Sequence, residues 1–197
     1  MAEKTGLLDL QYLPCLEYFT CILQYDEIVL EQHEHFIKQT YRNRCKIVEP
    51  NKVDILSIPV IGGSGKVRIK DIKIDYDQKW LNRHWRAIRS AYGKAPFYEY
   101  FSDEFHDIFF KKPTHLFDLN LQLLTLCLRF LGIKRNIRFS EKYEKIPENE
   151  VYDLRSRIHP KKSYKENAFY KPCTYPQVFG KNFAENMSII SWGESLI

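Results

Sequence analysis

Three clusters in this 197-residue sequence carry side chains that could do chemistry. The first is Glu31, His33 and His35, which alternate, so an extended backbone would point all three to one face. Two imidazoles and a carboxylate so placed could hold a divalent metal, or His33 with Glu31 or Glu34 could work as a general acid or base. The competing reading is a polar strand edge with ordinary hydrogen-bonding histidines. No further ligand cluster lies nearby in sequence, so no metal site is assigned and Glu31 and His33 stand as candidate catalytic groups. The second cluster is KQTYRNRCK at residues 38–46, the densest polar patch. Arg42 and Arg44 offer planar forks suited to phosphate or carboxylate, with the Asn43 amide between them and Lys38 close by. On a strand the two arginines share a face and make an anion site for a nucleotide or sugar phosphate; the alternative is a solvated edge. No RNP, KH or zinc-knuckle pattern supports RNA binding. The third cluster, Tyr175, Gln177, Phe179, Phe183, Asn186 and Ser188, either closes the sheet or forms a site wall offering an amide and a hydroxyl. A fourth segment, GGSGK at residues 62–66, lacks the Ser or Thr of a phosphate loop and is followed by a strand, so it reads as a hairpin turn.

These side chains need a scaffold, and the periodicities supply one. Residues 5–11 read as a short strand, Pro14 suits the first turn of a helix carrying Leu16, Phe19, Ile22 and Leu23, and residues 27–31 read as a buried strand. That is a β-α-β start of the kind parallel sheets use. Residues 53–60 and 66–74 predict two strands joined by the glycine turn, the second broken near Lys70 and Asp71. Helical periods follow from Gln78 to Gly93, after Pro96, and from Pro113 or Thr114 to Gly132, the last apolar nearly all round and central. Residues 136–139 read as a short strand, and 142–171 as polar and Pro-containing with little periodicity. The expected class is α/β: a Rossmann-like sheet with a β-α-β start, an antiparallel hairpin and a helical C-terminal half. It forms one domain over residues 1–197, with 134–174 a partly irregular excursion.

Composition narrows the class further. With 44% hydrophobic and 28% charged residues the chain is neither disordered nor collagen-like, and a net charge of +5 is too mild for a dedicated nucleic-acid coat. Five scattered cysteines without a C-x-x-C pair fit neither a disulfide framework nor a zinc ribbon. With no secretory pattern at the start and Leu116 to Ile133 too polar to span a bilayer, the expectation is a cytoplasmic protein. Aromatic residues reach 15%, and they divide. Trp80, Trp85, Phe97, Phe101 and Phe105 lie on helical stripes and belong to the core, while Tyr12, Tyr18, Tyr41 and Tyr175 flank the polar clusters, where a ring with a hydroxyl suits a sugar or base.

In order and spacing, these segments resemble the WbqC-like family over nearly the whole chain. The resemblance rests on Gln11, Tyr12, Leu13 and Pro14 followed by Tyr18 and Phe19, and on Glu31, Lys38 and the R-N-R element Arg42, Asn43 and Arg44. It continues through Ile58–Pro59, Trp85, Tyr92, Pro96 and Phe97 to a tail of Tyr175, Gln177, Phe179, Asn186, Ser188 and Ile189. What the resemblance implies is a transferase of surface polysaccharide synthesis that adds an aminoacyl or other acyl group to an amino sugar or nucleotide sugar. It names no cofactor. Under that reading Arg42 and Arg44 hold the phosphates, Gln11, Tyr12, Pro14, Tyr18, Lys38, Asn43, Tyr175 and Gln177 line the ligand, and Glu31 or His33 is the base. The alternative is a non-catalytic nucleotide- or protein-binding module. Two departures limit the comparison: Glu17 and Tyr18 stand where nucleotidyltransferase-like starts carry a G-H pair, and Ile190, Ser191 and Trp192 stand where the family usually has an acid. The expected partner is a small phosphate or sugar ligand, with a protein partner open, nucleic acid disfavoured and no membrane span.

Overall fold

The opening β-α-β unit forms as its periodicity requires. Strand β1 (Thr5–Asp9) leads through helix α1 (Leu16–Ile22) to β2 (Glu27–Glu31), and the strands pair in parallel with Leu7 beside Val29 and Asp9 beside Glu31. The computed structural model describes residues 3–49, 52–63, 65–93, 98–147, 150–174, 177 and 183–191. Two further strands, β7 (Asn136–Phe139) and β8 (Val151–Asp153), complete a four-stranded parallel sheet in the order β7-β2-β1-β8. Central β1 is buried on both faces, as a strand in a covered parallel sheet must be. Leu8, Leu10, Ile28 and Leu30 share one continuous core with α1 and with α2 (Trp80–Tyr92), α3 (Tyr98–Phe110) and α4 (Leu116–Phe130). The three later helices fall where their apolar periods place them, and α4 is buried along nine positions. On the other face Leu7, Val29 and Glu31 are roofed by a segment that includes Glu144 and Pro147.

The middle of the chain differs from the sequence expectation. The principal hairpin is β3 (Arg44–Glu49) with β4 (Lys52–Ser57), paired in six-residue register. The expected strand 53–60 is broken at Pro59, which has no N–H to give a ladder, and Ile58 instead bonds Asn43 through its N–H at 2.9 Å. Beyond the break, β5 (Val60–Ile61) pairs only with β6 (Lys73–Ile74), because Ile69–Asp71 coils into a 3-10 turn at the position where alternation fails. The glycine turn does close on itself, Gly65 N–H bonding the Gly62 carbonyl at 3.2 Å with Gly62 at φ +73°. Within the excursion 134–174, β8 was not expected.

Pro14 sits one residue ahead of the α1 N-cap rather than in its first turn. Cys15, at the cap, makes no side-chain cap, and the C-terminal segment does that work. Leu16 N–H donates to the Met187 carbonyl at 3.1 Å and Glu17 N–H to Asn186 Oδ1 at 3.0 Å, satisfying donors a helix start leaves open. Ser188 adds Oγ to the Leu13 carbonyl at 2.8 Å and N–H to the Lys46 carbonyl at 2.9 Å. The described part of this tail thus caps α1 and ties β3 to the turn before the helix.

Candidate functional site

The strand order reverses at β1, the chain passing first to β2 and β7 on one side and then crossing to β8 on the other. In open parallel sheets the crevice outside the carboxyl ends at such a point is where ligands bind. Asp9 and Glu31 end adjacent strands there, each 1% exposed.

Asp9 anchors a buried network. Its Oδ1 accepts the Ser156 N–H at 2.6 Å, and its Oδ2 accepts Gln11 Nε2 at 3.2 Å and lies 3.4 Å from Arg42 Nη1. The Arg42 guanidinium grips Glu34 bidentately, Nε to Oε1 at 2.6 Å and Nη2 to Oε2 at 2.7 Å, and donates to Ser156 Oγ at 3.1 Å. Burial alone would lower the pKa of this guanidinium, but Asp9 and Glu34 outweigh it and hold it above the ordinary arginine value. Burial pushes the Glu34 carboxyl up against the pull of the Arg42 fork. The Glu31 carboxylate is saturated as well, by Ser140 Oγ at 2.7 Å, His33 N–H at 2.8 Å and Arg155 Nη1 at 3.0 Å. Arg155 in turn forks onto Asp153 at 2.8 and 2.9 Å and lies over the Tyr143 ring.

Above this network runs the segment after β8. Ser156 is held at φ +55°, a left-handed conformation that its bonds to Asp9 and Arg42 maintain. His159 accepts the Lys161 N–H on Nδ1 at 3.1 Å, which leaves Nε2 as its N–H. Burial, then the charges of Lys162 and Arg42, push its pKa below the usual imidazole value, so it is neutral near pH 7. Lys162 reaches the Ser156 carbonyl at 3.1 Å, and Arg157 and Lys161 are exposed. Lys161 and Lys162 thus lie near His159, while Arg157 acts on Cys21, Tyr25 and Asp153 instead.

The expected site residues divide accordingly. Gln11 is fully buried in the network, donating to Asp9 and to the Ile158 carbonyl at 3.1 Å, and its Oε1 has no partner among the described residues. Tyr12 is a core residue, its hydroxyl 3.0 Å from His84 Nδ1, and Tyr18 donates to the Asp9 carbonyl at 3.0 Å; burial raises both phenols well above their usual pKa. Arg42 and Arg44 do not present one paired anion face. Arg42 lies in the turn before β3 and is spent on two carboxylates, while half-exposed Arg44 begins the strand. Asn43 Nδ2 donates to the Ile58 carbonyl at 2.9 Å. Strand β2 stops at Glu31 and the chain bends at His33 and Glu34, so Glu31, His33 and His35 lose their common extended face. No three metal-ligating groups gather among the described residues. Lys38 is exposed, Pro14 receives the Ile189 N–H at 2.9 Å, and Gln177 clasps the Ala184 backbone at 2.8 and 2.9 Å. Tyr175 and Phe179 lie outside the described residues.

Sequence reasoning passed over Asp9, Ser156, His159 and Lys162. One signal was available: RSRIHPKK at residues 155–162 packs four cations and a histidine into eight residues without an acid. No helix among the described residues is long and apolar enough to cross a membrane.

Comparison with known proteins adds kinship. The chain is similar to the uncharacterized protein Rv1507c of Mycobacterium tuberculosis, 28% identical over 144 residues that make up 72% of this chain and 62% of that protein, so it spans less than two thirds of that relative. No solved structure matches it. The WbqC-like protein family matches residues 11–165, from the Gln11 turn through the basic segment after β8, and the chain belongs to that family.

Proposed function

We propose that the chain is a transferase that moves an aminoacyl or other acyl group onto an amino sugar or nucleotide sugar at the carboxyl edge of the sheet. The observation that carries this reading is the segment 156–162, where Ser156 bonds Asp9, Lys162 folds back on the Ser156 carbonyl, and His159 lies within the electrostatic reach of Arg42, Asp9, Lys161 and Lys162 at the carboxyl end of β1. Lys161 and Lys162 bind the ligand phosphates, a role that moves away from Arg42. The neutral His159 donates Nε2–H to the carbonyl oxygen as negative charge grows on it. The acceptor amine or hydroxyl attacks the acyl carbon, its proton passes to the His33 imidazole, and the donor's leaving group departs with the bonding pair. Glu31, with both oxygens engaged, fixes the backbone at His33 rather than acting as the base. The work is that of a cytoplasmic enzyme of surface polysaccharide synthesis.

One observation favours the second reading, a binding module without catalysis: both carboxylates at the strand ends are fully occupied. The test is a thermal-shift screen of nucleotides and nucleotide sugars, followed by a transfer assay on the ligands that bind. A ligand at 100 times its Kd adds about 2.7 kcal/mol, which raises Tm by roughly 5–11 °C in a domain of this size. His159→Gln should then abolish transfer while the shift persists. Binding without transfer establishes a nucleotide-binding module, no shift with any of these ligands refutes the transferase, and a pull-down that then recovers no stoichiometric protein refutes the protein-binding module.

A further inference from the structure

Away from the carboxyl edge, a groove of about 710 Å³ runs along the outer side of α1. Its floor is apolar, built from Leu16, Phe19, Leu23, Ile133 and Ile189. Its lining also holds Lys134, Arg135 and Lys171, from two segments that both reach the end of α1, Arg135 bonding the Leu23 carbonyl and the Phe169 carbonyl bonding Gln24. Among the described residues none of the three has a carboxylate within ion-pair distance. Arg135 is turned into the wall, its two terminal nitrogens giving to the Lys134 and Leu23 carbonyls at 2.9 and 3.2 Å while its buried Nε has no partner among the described residues. Leu23 is 49% exposed at the end of α1, leaving the apolar wall open to solvent.

We infer that this groove binds a free single-chain amphiphile with an anionic head, the aliphatic chain on the α1 floor and a phosphate or carboxylate between Lys134, Arg135 and Lys171. The volume is that of a small-molecule site, and the division into a dry floor and a cationic lining matches a ligand divided the same way. A neutral apolar ligand would leave the cations unanswered, and a soluble sugar phosphate would leave the floor unused. The inference does not depend on the transferase reading, because it uses no residue of the carboxyl-edge site.

Cys173, which lines the groove, provides the readout. It is the exposed one of five cysteines, the others being buried. Octyl, decyl and dodecyl phosphate, each below its micelle concentration, are titrated into the full chain while Ellman's reagent reports Cys173 reactivity. Occupancy should slow the labelling, and affinity should tighten about fourfold per added methylene. The Lys134→Glu, Lys171→Glu double variant changes two exposed side chains and should weaken the alkyl phosphates by roughly tenfold or more while leaving decanol binding unchanged. Leu23→Glu should weaken both ligand types. Affinity independent of chain length, or unchanged in the double variant, overturns the inference. So does binding seen only with phosphatidylglycerol vesicles, or a concentration-dependent dimer that protects Cys173 without any ligand.

Discussion

Replacing Arg42 by methionine separates a structural arginine from a ligand-binding one. A surface arginine that held substrate phosphate could be removed with little effect on stability. Arg42 is 1% exposed and stands between Asp9 at 3.4 Å and Glu34 at 2.6 Å, so Arg42→Met leaves two buried carboxylates facing a thioether. Removing one member of a buried ionic cluster costs about 3–5 kcal/mol, which in a chain of this length lowers Tm by roughly 6–20 °C. The loss should depend on pH in a defined direction. Burial already pushes Glu34 up, and without the Arg42 fork its pKa climbs further, so the variant's folded state binds protons that its unfolded state does not. Acidification from pH 8 toward pH 5 therefore returns part of the lost stability, and the gap to the parent protein narrows. Arg42→Lys, which keeps the charge but loses the fork and the bond to Ser156, should fall between the two. The assay is urea unfolding of the three proteins at several pH values. A variant as stable as the parent at pH 8, or a gap that stays constant as pH falls, refutes the account of this cluster.

His84, buried against the Tyr12 hydroxyl, has its pKa lowered to about 4 by burial and by Arg83, so its contribution to stability is complete above pH 6.5 and is lost as pH falls toward 4. The full loss is about 3 kcal/mol, and unfolding curves of His84→Gln across that window should show a shallower acid limb; parallel limbs would remove His84 from the explanation. Asn186 pairs with Glu17 twice while held at φ +52°, so Asn186→Ala should cost roughly 2–4 kcal/mol, and Asn186→Gly about 1 kcal/mol less because it relieves the backbone; equal losses in thermal denaturation would contradict the strain. Ellman's reagent should find one fast thiol in the native protein and five in denaturant, because burial pushes Cys15, Cys21 and Cys127 up to about 12; a second fast thiol would show that the core opens readily.

Elements with their own local signal were legible in the sequence. Helices α2 and α4 carry an apolar period closed by Gly93 and Gly132, and β2 is a short apolar run between polar stops. Strand β8 has no such signal: Val151, Tyr152 and Asp153 are half-buried or exposed, and the strand exists because β1 offers it an edge. The same distinction holds at the site. KQTYRNRCK reads as a solvated or ligand-binding run because nothing local reveals that Asp9 will meet Arg42 across the sheet edge. Charge compensation between distant segments leaves no periodicity, so the run of cations was visible while the carboxylates that consume one of them were not. His159 suffered the converse fate. Its neighbours are basic in sequence, but its closeness to Asp9 and Arg42 comes only from the turn after β8.

The sheet order β7-β2-β1-β8 also fixes a timetable. Strand β1 leaves the ribosome well before β8, so the edge it shares with β8 stays bare until β8 arrives, and Ser156 lies 147 residues beyond the Asp9 it bonds. Ser188, which ties the Pro14 turn, is separated from Leu13 by 175 residues. The centre of this sheet is therefore the last part to be sealed. During synthesis the nascent chain carries an apolar, hydrogen-bond-hungry strand edge, and a second nascent chain could pair with it. Truncations that end before residue 151 should be chaperone clients rather than smaller folded domains.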